Sequence, residues 1–290
     1  MTTIADLTYR VARELGVVLE NTADSGSTTT LVDAARSESD DYWIGGPLWI
    51  LSTTDGAAPQ GEMSDVSDFV SSTGTITVSP EFTVAPEDGD YYAIGKRRYP
   101  RSILIQKVNQ AIKDLGQIEQ TDTSVTTAAG QSEYSIPAAV AKDLRRVFEQ
   151  LSTTSGDTQP KERFDWSIRR SATGTKDVLV FDAPLVGGRT LELRYYDEHA
   201  EIRDADSALD DDIPPEVIVY MATLGCLRWR KQRVGTMDQT LPDQMREVQD
   251  ALDGMHGARA RLEAQEITPA PRLFIAGGSY RRYPGDRTPR

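Results

Sequence analysis

Few residues in this chain are of types and spacings that could do chemistry. Asp210-Asp211-Asp212 could present hard oxygen ligands to a divalent cation. They stand where a helical pattern begins, however, and acids there complement the helix dipole, so an acidic helix start is the better reading. His199 lies in Tyr195-Tyr196-Asp197-Glu198-His199 with carboxylates close by, but no nucleophile or second histidine is near in sequence. The other histidine, His256, sits beside Gly254 and Gly257 late in a helical run and reads as a packing position. Cys226, between Leu224 and Leu227 in an apolar helix, reads as a buried thiol. A single cysteine excludes an intrachain disulfide and a thiolate-rich zinc site. Walker A, GxSxG, HExxH and paired CxxC motifs are absent. Without a nucleophile, base and orienter, the expectation is no enzyme, no cofactor and no metal.

Two aromatic groups remain. Trp43, Trp49, Tyr91 and Tyr92 could form a sugar-binding face, although aromatics alternating in short strands more often fill a small sandwich core. A carbohydrate-binding or adhesin-like module is therefore the competing class. In the last segment, Arg272, Phe274 and Ile275, then Tyr280, Arg281, Arg282 and Tyr283, combine arginine with aromatic and aliphatic anchors. These types are enriched at interface hot spots, and they fit an arm that orders on a partner.

The elements that must position these groups follow from composition and periodicity. The 290 residues are 38% hydrophobic and 27% charged, which describes a folded chain with a real core. The longest uncharged run in a helical pattern, Val217 to Leu227, is far short of the ~20 residues of a membrane span. Charges at Asp6, Arg10, Arg13 and Glu14 argue against a signal peptide. The net charge of −13 is localised: Glu20 to Gly95 holds fourteen acids against one base, Arg36. Residues 267–290 carry five arginines against one aspartate. Tight duplex binding by bulk electrostatics is disfavoured, because phosphate contacts need clustered cations.

Helices are predicted over Ile4–Leu15, with a Thr3/Asp6 capping box, then Pro100–Ile118, Ile213–Arg233 and Thr240–Glu266, the last also opened by a capping-box pattern. Leu104, Val108, Met221, Leu224, Val248 and Leu252 are their expected core positions. Between the first two helices, strands are predicted at Thr28–Asp33, Pro47–Ser52, Gly74–Ser79 and Tyr91–Ile94. After the second helix come Ser124–Thr127, Tyr134–Ile136, Arg146–Leu151, Phe164–Ile168, Val178–Phe181 and Leu191–Tyr195, the last two read as a hairpin through Gly187-Gly188. Prolines and glycines break regular structure from Thr268 on. The fold class expected is α+β: a four-helix adaptor-like core with two β-rich insertions and an extended C-terminal arm. The divisions are 1–19, 97–120 and 207–266 for the helical core, 20–96 for an acidic β module, 121–206 for a second insertion and 267–290 for the arm.

Three stretches resemble the head-to-tail adaptor (connector or neck) proteins of tailed bacteriophages. The first joins Thr29-Thr30-Leu31-Val32-Asp33-Ala34, Asp41-Tyr42-Trp43-Ile44-Gly45-Gly46-Pro47-Leu48-Trp49-Ile50, Thr75-Ile76-Thr77-Val78 and Gly89-Asp90-Tyr91-Tyr92-Ala93-Ile94. The second is Tyr134-Ser135-Ile136-Pro137 leading into Leu144-Arg145-Arg146-Val147. The third is Ile213-Pro214-Pro215-Glu216-Val217-Ile218-Val219-Tyr220-Met221-Ala222. The resemblance implies a non-enzymatic virion protein at the head–tail junction, assembled in the host cytoplasm as a homo-oligomeric ring of about twelve copies. It also implies a portal partner above, a tail or next neck-ring protein below, and genomic DNA passing without tight binding. The C-terminal arm, with Arg272, Phe274, Ile275, Tyr280, Arg281, Arg282 and Tyr283, would reach into the portal.

Overall fold

Thr3 opens the first helix with the expected capping box: the Asp6 N–H donates to Thr3 Oγ1 (3.3 Å) and the Thr3 N–H to Asp6 Oδ2 (3.4 Å). The computed structural model describes residues 2–150, 160–170, 177–203, 208–209, 213–234, 240–254 and 257–258. After β1 (Thr2–Thr3), α1 runs Ile4–Glu14 and buries Ile4, Leu7 and Val11 on one face. Gly16, at φ +64°, takes the chain out of the helix through a conformation that side chains disfavour.

Seven strands follow: β2 (Val18–Thr22), β3 (Ser25–Ser27), β4 (Thr30–Val32), β5 (Pro47–Ser52), β6 (Met63–Val70), β7 (Thr75–Ser79) and β8 (Tyr91–Gly95). They form one antiparallel sheet in the order β2-β8-β5-β6-β7-β4-β3. Its edge strands β2 and β3 are consecutive, joined through Ala23 and Asp24 alone. A flat seven-stranded sheet would hold its edges about 29 Å apart, whereas three residues of chain span at most about 11 Å. The sheet therefore curls until its edges meet. The Ala23 N–H donates to Asp90 O and the Asp24 N–H to Val32 O (both 2.8 Å), so the link continues the β2–β8 ladder on one side and the β3–β4 ladder on the other. Inside lie Leu31, Trp43, Leu48, Ile50, Phe69, Ile76, Tyr92 and Ile94. Strand alternation sends Trp49 and Ala93 the other way, onto the helices. A bulge between Val66 and Asp68 shifts the parity of β6, so that Val66 and Phe69, three apart, both point inward.

α2 (Arg101–Asp114) ends earlier than predicted, because Gly116 turns at φ +82° and the strand β9 (Gln117–Thr126) starts at once. Then come β10 (Glu133–Ile136), a short α3 (Ala138–Lys142) absent from the sequence reading, β11 (Leu144–Gln150), β12 (Pro160–Arg163), β13 (Trp166–Arg169), β14 (Asp177–Phe181) and β15 (Thr190–Glu198). The predicted Phe164–Ile168 strand forms only from Trp166, within β13; Phe164, 71% exposed, and Asp165 are the break between β12 and β13. β14 and β15 are not a hairpin. β14 is the centre of the sheet β10-β14-β13, and β15 lies in the sheet β12-β11-β15-β9. Each sheet has one apolar face, and both close on one core of Tyr134, Ile136, Val147, Leu179, Leu191 and Leu193. The Gly187-Gly188 loop carries the chain from one sheet to the other, and a Cβ at Gly187 would meet the Ala129 nitrogen at 2.6 Å.

β16 (Ala208–Leu209) pairs with β1, and α4 (Pro215–Val234) and α5 (Leu241–Asp253) follow. Thr240 makes no side-chain cap to α5, so the second predicted capping box does not form. The expected four-helix core is overturned: the described residues hold more strand than helix, 36% against 28%, in four sheets and five helices. The physical reason lies in α4, which is apolar on more than one side. Ile218, Ala222 and Cys226 face a cluster that holds α1, α2 and the outer face of the β module through Trp49, Met63 and Ala93. Val217 and Leu224 instead meet Leu252 and Ala258 in a small separate cluster under α5. The helices thus cover sheet and each other rather than enclosing one bundle interior. Of the expected core positions, Leu104, Val108, Leu224 and Leu252 are buried, while Met221 and Val248 are half-buried. Leu224→Ala should cost about 2–5 kcal/mol, read from urea unfolding midpoints. A loss below about 1 kcal/mol would show that the α4–α5 contact contributes little.

Candidate functional site

Arg36, the single base of the acidic segment, is buried inside the curled sheet's closure. The 33–36 turn follows β4, and β8 brings Tyr92 over it. Arg36 Nε donates to Asp33 Oδ2 (3.1 Å) and to the Tyr92 hydroxyl (2.8 Å), which itself donates to Asp33 Oδ2 (2.5 Å). Asn21 Nδ2 donates to the same carboxylate oxygen (2.7 Å). The guanidinium lies over both Trp43 (5.6 Å to centroid) and Tyr92 (5.4 Å). Burial opposes its charge, but Tyr92, Asp33 and Glu38 together more than offset this and raise its pKa. The Tyr92 phenol is raised by burial and by its bond to Asp33. This knot joins β2, β4 and β8 where the sheet closes. The signal for it in the sequence was a lone cation among fourteen acids, which composition marks without saying what surrounds it.

A second polar seam ties the module to α1. Tyr9 and Tyr91 both donate to Glu20 (2.5 Å each); burial and that bond push the Tyr9 phenol up to about 12, while the two hydroxyls lower the Glu20 carboxyl. Beside it, Trp49 Nε1 donates to Thr8 Oγ1 (3.1 Å), and Tyr9 meets the Trp49 ring edge-on at 6.1 Å. In the second insertion the buried Glu149 is held by Arg163 (3.1 Å) and Arg189 (2.8 Å). All three arrangements hold elements together. None places a reactive atom beside a base.

The residues singled out for chemistry fare differently. Trp43, Trp49 and Tyr92 are at most 1% exposed and Tyr91 is half-buried, so the sugar-binding face that motivated a carbohydrate-binding module does not exist as a surface. Strand alternation split these aromatics between two cores. His199 is half-buried, with Nδ1 2.6 Å from Ala200 O, and lines a shallow cleft with Gln120, Tyr195, Asp197 and Glu198. Cys226 is fully buried, and burial pushes its thiol up to about 12. Asp210, Asp211, Asp212, His256 and the whole arm, with Arg272, Phe274, Ile275, Tyr280, Arg281, Arg282 and Tyr283, lie outside the described residues. Among the described residues no group of three or more His, Cys, Asp or Glu side chains could hold a metal ion, and no helix is long and apolar enough to cross a membrane.

The sequence reading also missed a basic surface. Lys96, Arg97 and Arg98 leave β8, Arg101 begins α2, and the end of α4 brings Arg230 and Arg233 to the same place. Tyr99 and Trp229 join the two runs, with centroids 6.2 Å apart, Arg230 over Tyr99 (5.9 Å) and Arg233 over Trp229 (5.1 Å). Cations at the end of a helix complement its dipole whatever they face, so the α4 run alone marks no surface in the sequence.

The described residues thus combine buried polar ties with a strongly divided surface charge. No curated protein matches the chain. The family model for the SU10 adaptor protein matches residues 65–271, which take in the end of the β module, the second insertion and the helices α2, α4 and α5. The chain therefore belongs to the SU10 adaptor protein family, and the match supports a phage head–tail adaptor.

Proposed function

We propose that this protein is a structural ring of the phage neck. About twelve copies dock on the portal, continue the DNA channel and present a lower surface to the tail or to the next neck ring. The observation that carries this reading is the family match over residues 65–271. Its role is mechanical rather than enzymatic, at the head–tail junction of the virion, after assembly in the host cytoplasm. The 20–96 module and the 121–206 insertion act as separate contact surfaces. Electron micrographs of the purified protein with its portal test the reading: portal-bound collars are expected, and protein that stays off the portal at all concentrations would overturn it.

Residues 267–290 form the proposed portal-binding arm. Twenty-four extended residues reach about 80 Å, enough to leave their own subunit. Phe274, Ile275, Tyr280 and Tyr283 supply apolar anchors, and Arg272, Arg281 and Arg282 supply planar cations suited to carboxylates and carbonyls. Deleting all residues after Glu266 should leave circular dichroism and melting unchanged while weakening portal binding at least tenfold. Wild-type affinity in the truncated protein would remove the arm from the interface.

DNA in such a channel must slide. With a net charge of −13, the free protein should show negligible duplex affinity at physiological salt by fluorescence anisotropy. Tight binding with a steep salt dependence would contradict a passive channel.

A further inference from the structure

The two charged surfaces lie at opposite ends of the same strands. Thr22 pairs with Tyr91 and Ser52 lies opposite it, so the 23–24, 53–57 and 86–90 segments gather where β8 begins. The buried carboxylate of Asp90 holds them there. It accepts the Thr54 N–H and the Glu87 N–H (both 2.9 Å), while its carbonyl takes the Ala23 N–H (2.8 Å). These segments expose Asp24, Asp55, Glu87 and Asp88, and none of them contains a base. At the other end of β8, Gly95 pairs with Val18, and the chain passes directly into Lys96, Arg97 and Arg98. There Tyr99 and Trp229 add Arg230 and the exposed Arg233. Asp65 offsets Arg101 at 3.8 Å.

The five residues of β8 separate the two ends by about 15 Å. That exceeds the ~8 Å screening length at physiological salt, so the patches do little for each other within one chain. A basic patch at one end and an acidic patch at the other cannot form a two-fold contact of like with like. They can form a head-to-tail contact, the kind that closes into rings.

We infer that the basic surface around Tyr99 and Trp229 is the docking site for the acidic end of the β module of a neighbouring copy. This deepens the ring reading proposed above and rests on it. A second copy fits better than a nucleic acid, because a chain of net −13 repels a polyanion at long range while its own acidic end is complementary. Tyr99 and Trp229 hold Arg230 and Arg233 in place from beneath, which reduces the entropy lost on docking.

The test uses full-length protein, with rings measured by sedimentation velocity and by micrographs with the portal. One variant carries Lys96→Glu, Arg97→Glu and Arg233→Glu; the other carries Glu87→Lys and Asp88→Lys. Circular dichroism establishes that each is folded, and should the first fail to fold, Arg97→Ser with Arg233→Ser replaces it. Each variant alone is expected to assemble at least tenfold more weakly than wild type, and wild-type rings should weaken as salt rises. Mixing the two reversed variants should restore assembly, because in an alternating ring every junction again pairs opposite charges. Unchanged assembly of either variant, or no recovery on mixing, overturns the inference. So does a basic-face variant that forms normal rings but loses duplex DNA binding, which would assign the surface to phosphates. If wild-type protein forms no ring with or without the portal, the ring reading itself fails, and this outcome is distinct from the others.

Discussion

Arg36→Met lowers the unfolding free energy by about 3–5 kcal/mol, because it leaves the Asp33 carboxylate buried without its cation. Asp33 is 1% exposed and Arg36 9%, so water cannot take over the lost partner. The remaining donors, Tyr92, Asn21 and the Ala35 N–H, are neutral and give weaker bonds than the charged guanidinium. The same substitution removes the cation stacked over Trp43 and Tyr92. Urea titration followed by tryptophan fluorescence measures the loss, and Trp43 reports on the site directly. A double variant, Arg36→Met with Asp33→Asn, should recover part of it, since no uncompensated charge remains. Breaking the pair costs far more than the pair itself contributes: Arg36 Nη2 has no hydrogen-bond partner among the described residues, so replacing the whole knot by apolar groups could come out close to neutral. A loss below about 1 kcal/mol in the single variant would show that the closure of the sheet does not depend on this knot.

Trp49→Ala carries a comparable cost, about 3–5 kcal/mol, and a different signature. Trp49 projects from β5 away from the module's interior, into the cluster shared with α1, α2 and α4. Its removal opens a cavity at the only tryptophan in that cluster's buried set, strips the edge-on contact with Tyr9, and takes the Nε1 donor from Thr8. Thr8 keeps its bond to Ile4 O (2.8 Å), so the loss is chiefly packing rather than an orphaned hydroxyl. Because this side chain couples the β module to the helices, calorimetry should show one transition in the wild type and a broadened or split one in the variant. Trp49→Phe refills most of the volume and should restore a single transition at less than half the cost. One sharp transition in the alanine variant would mean that Met63, Ala93 and the Glu20 seam suffice to couple the two parts.

Short-range features were legible in the sequence because neighbours in sequence decide them. Thr3 and Asp6 sit three apart, so their capping box closes without help from the rest of the chain. Alternation in Thr75–Val78 marked a half-buried strand, and Gly16 marked a helix end, since each depends on the local backbone alone. The resemblance in the 29–50, 75–94, 134–147 and 213–222 stretches pointed to phage adaptors, which the family match supports. Fold class was misread where periodicity is silent about partners. The even apolar coating of α4 fits a bundle interior as well as a helix between two clusters, and only the tertiary structure chose the second. β14 and β15 carry turn glycines between them and look like a hairpin; they went to different sheets because each buried its apolar face from an opposite side of one core.

The aromatics show the same division. Trp49 stands between Leu48 and Ile50, and sequence alone establishes that it points opposite to them. Which direction is solvent, the helices or the module's interior depends on the curl of seven strands, and that curl follows from the two-residue link between β2 and β3. Charge was likewise counted correctly but not placed: fourteen acids and one base are a property of the segment, whereas a buried Arg36 and oppositely charged ends of β8 are properties of strand register. Composition, caps and strand alternation were decided locally, by sterics and hydrogen bonds within a few residues. The partners across each sheet, the side of each helix that was covered and the charges that met were decided by long-range packing, because burial is shared between segments that the sequence keeps far apart.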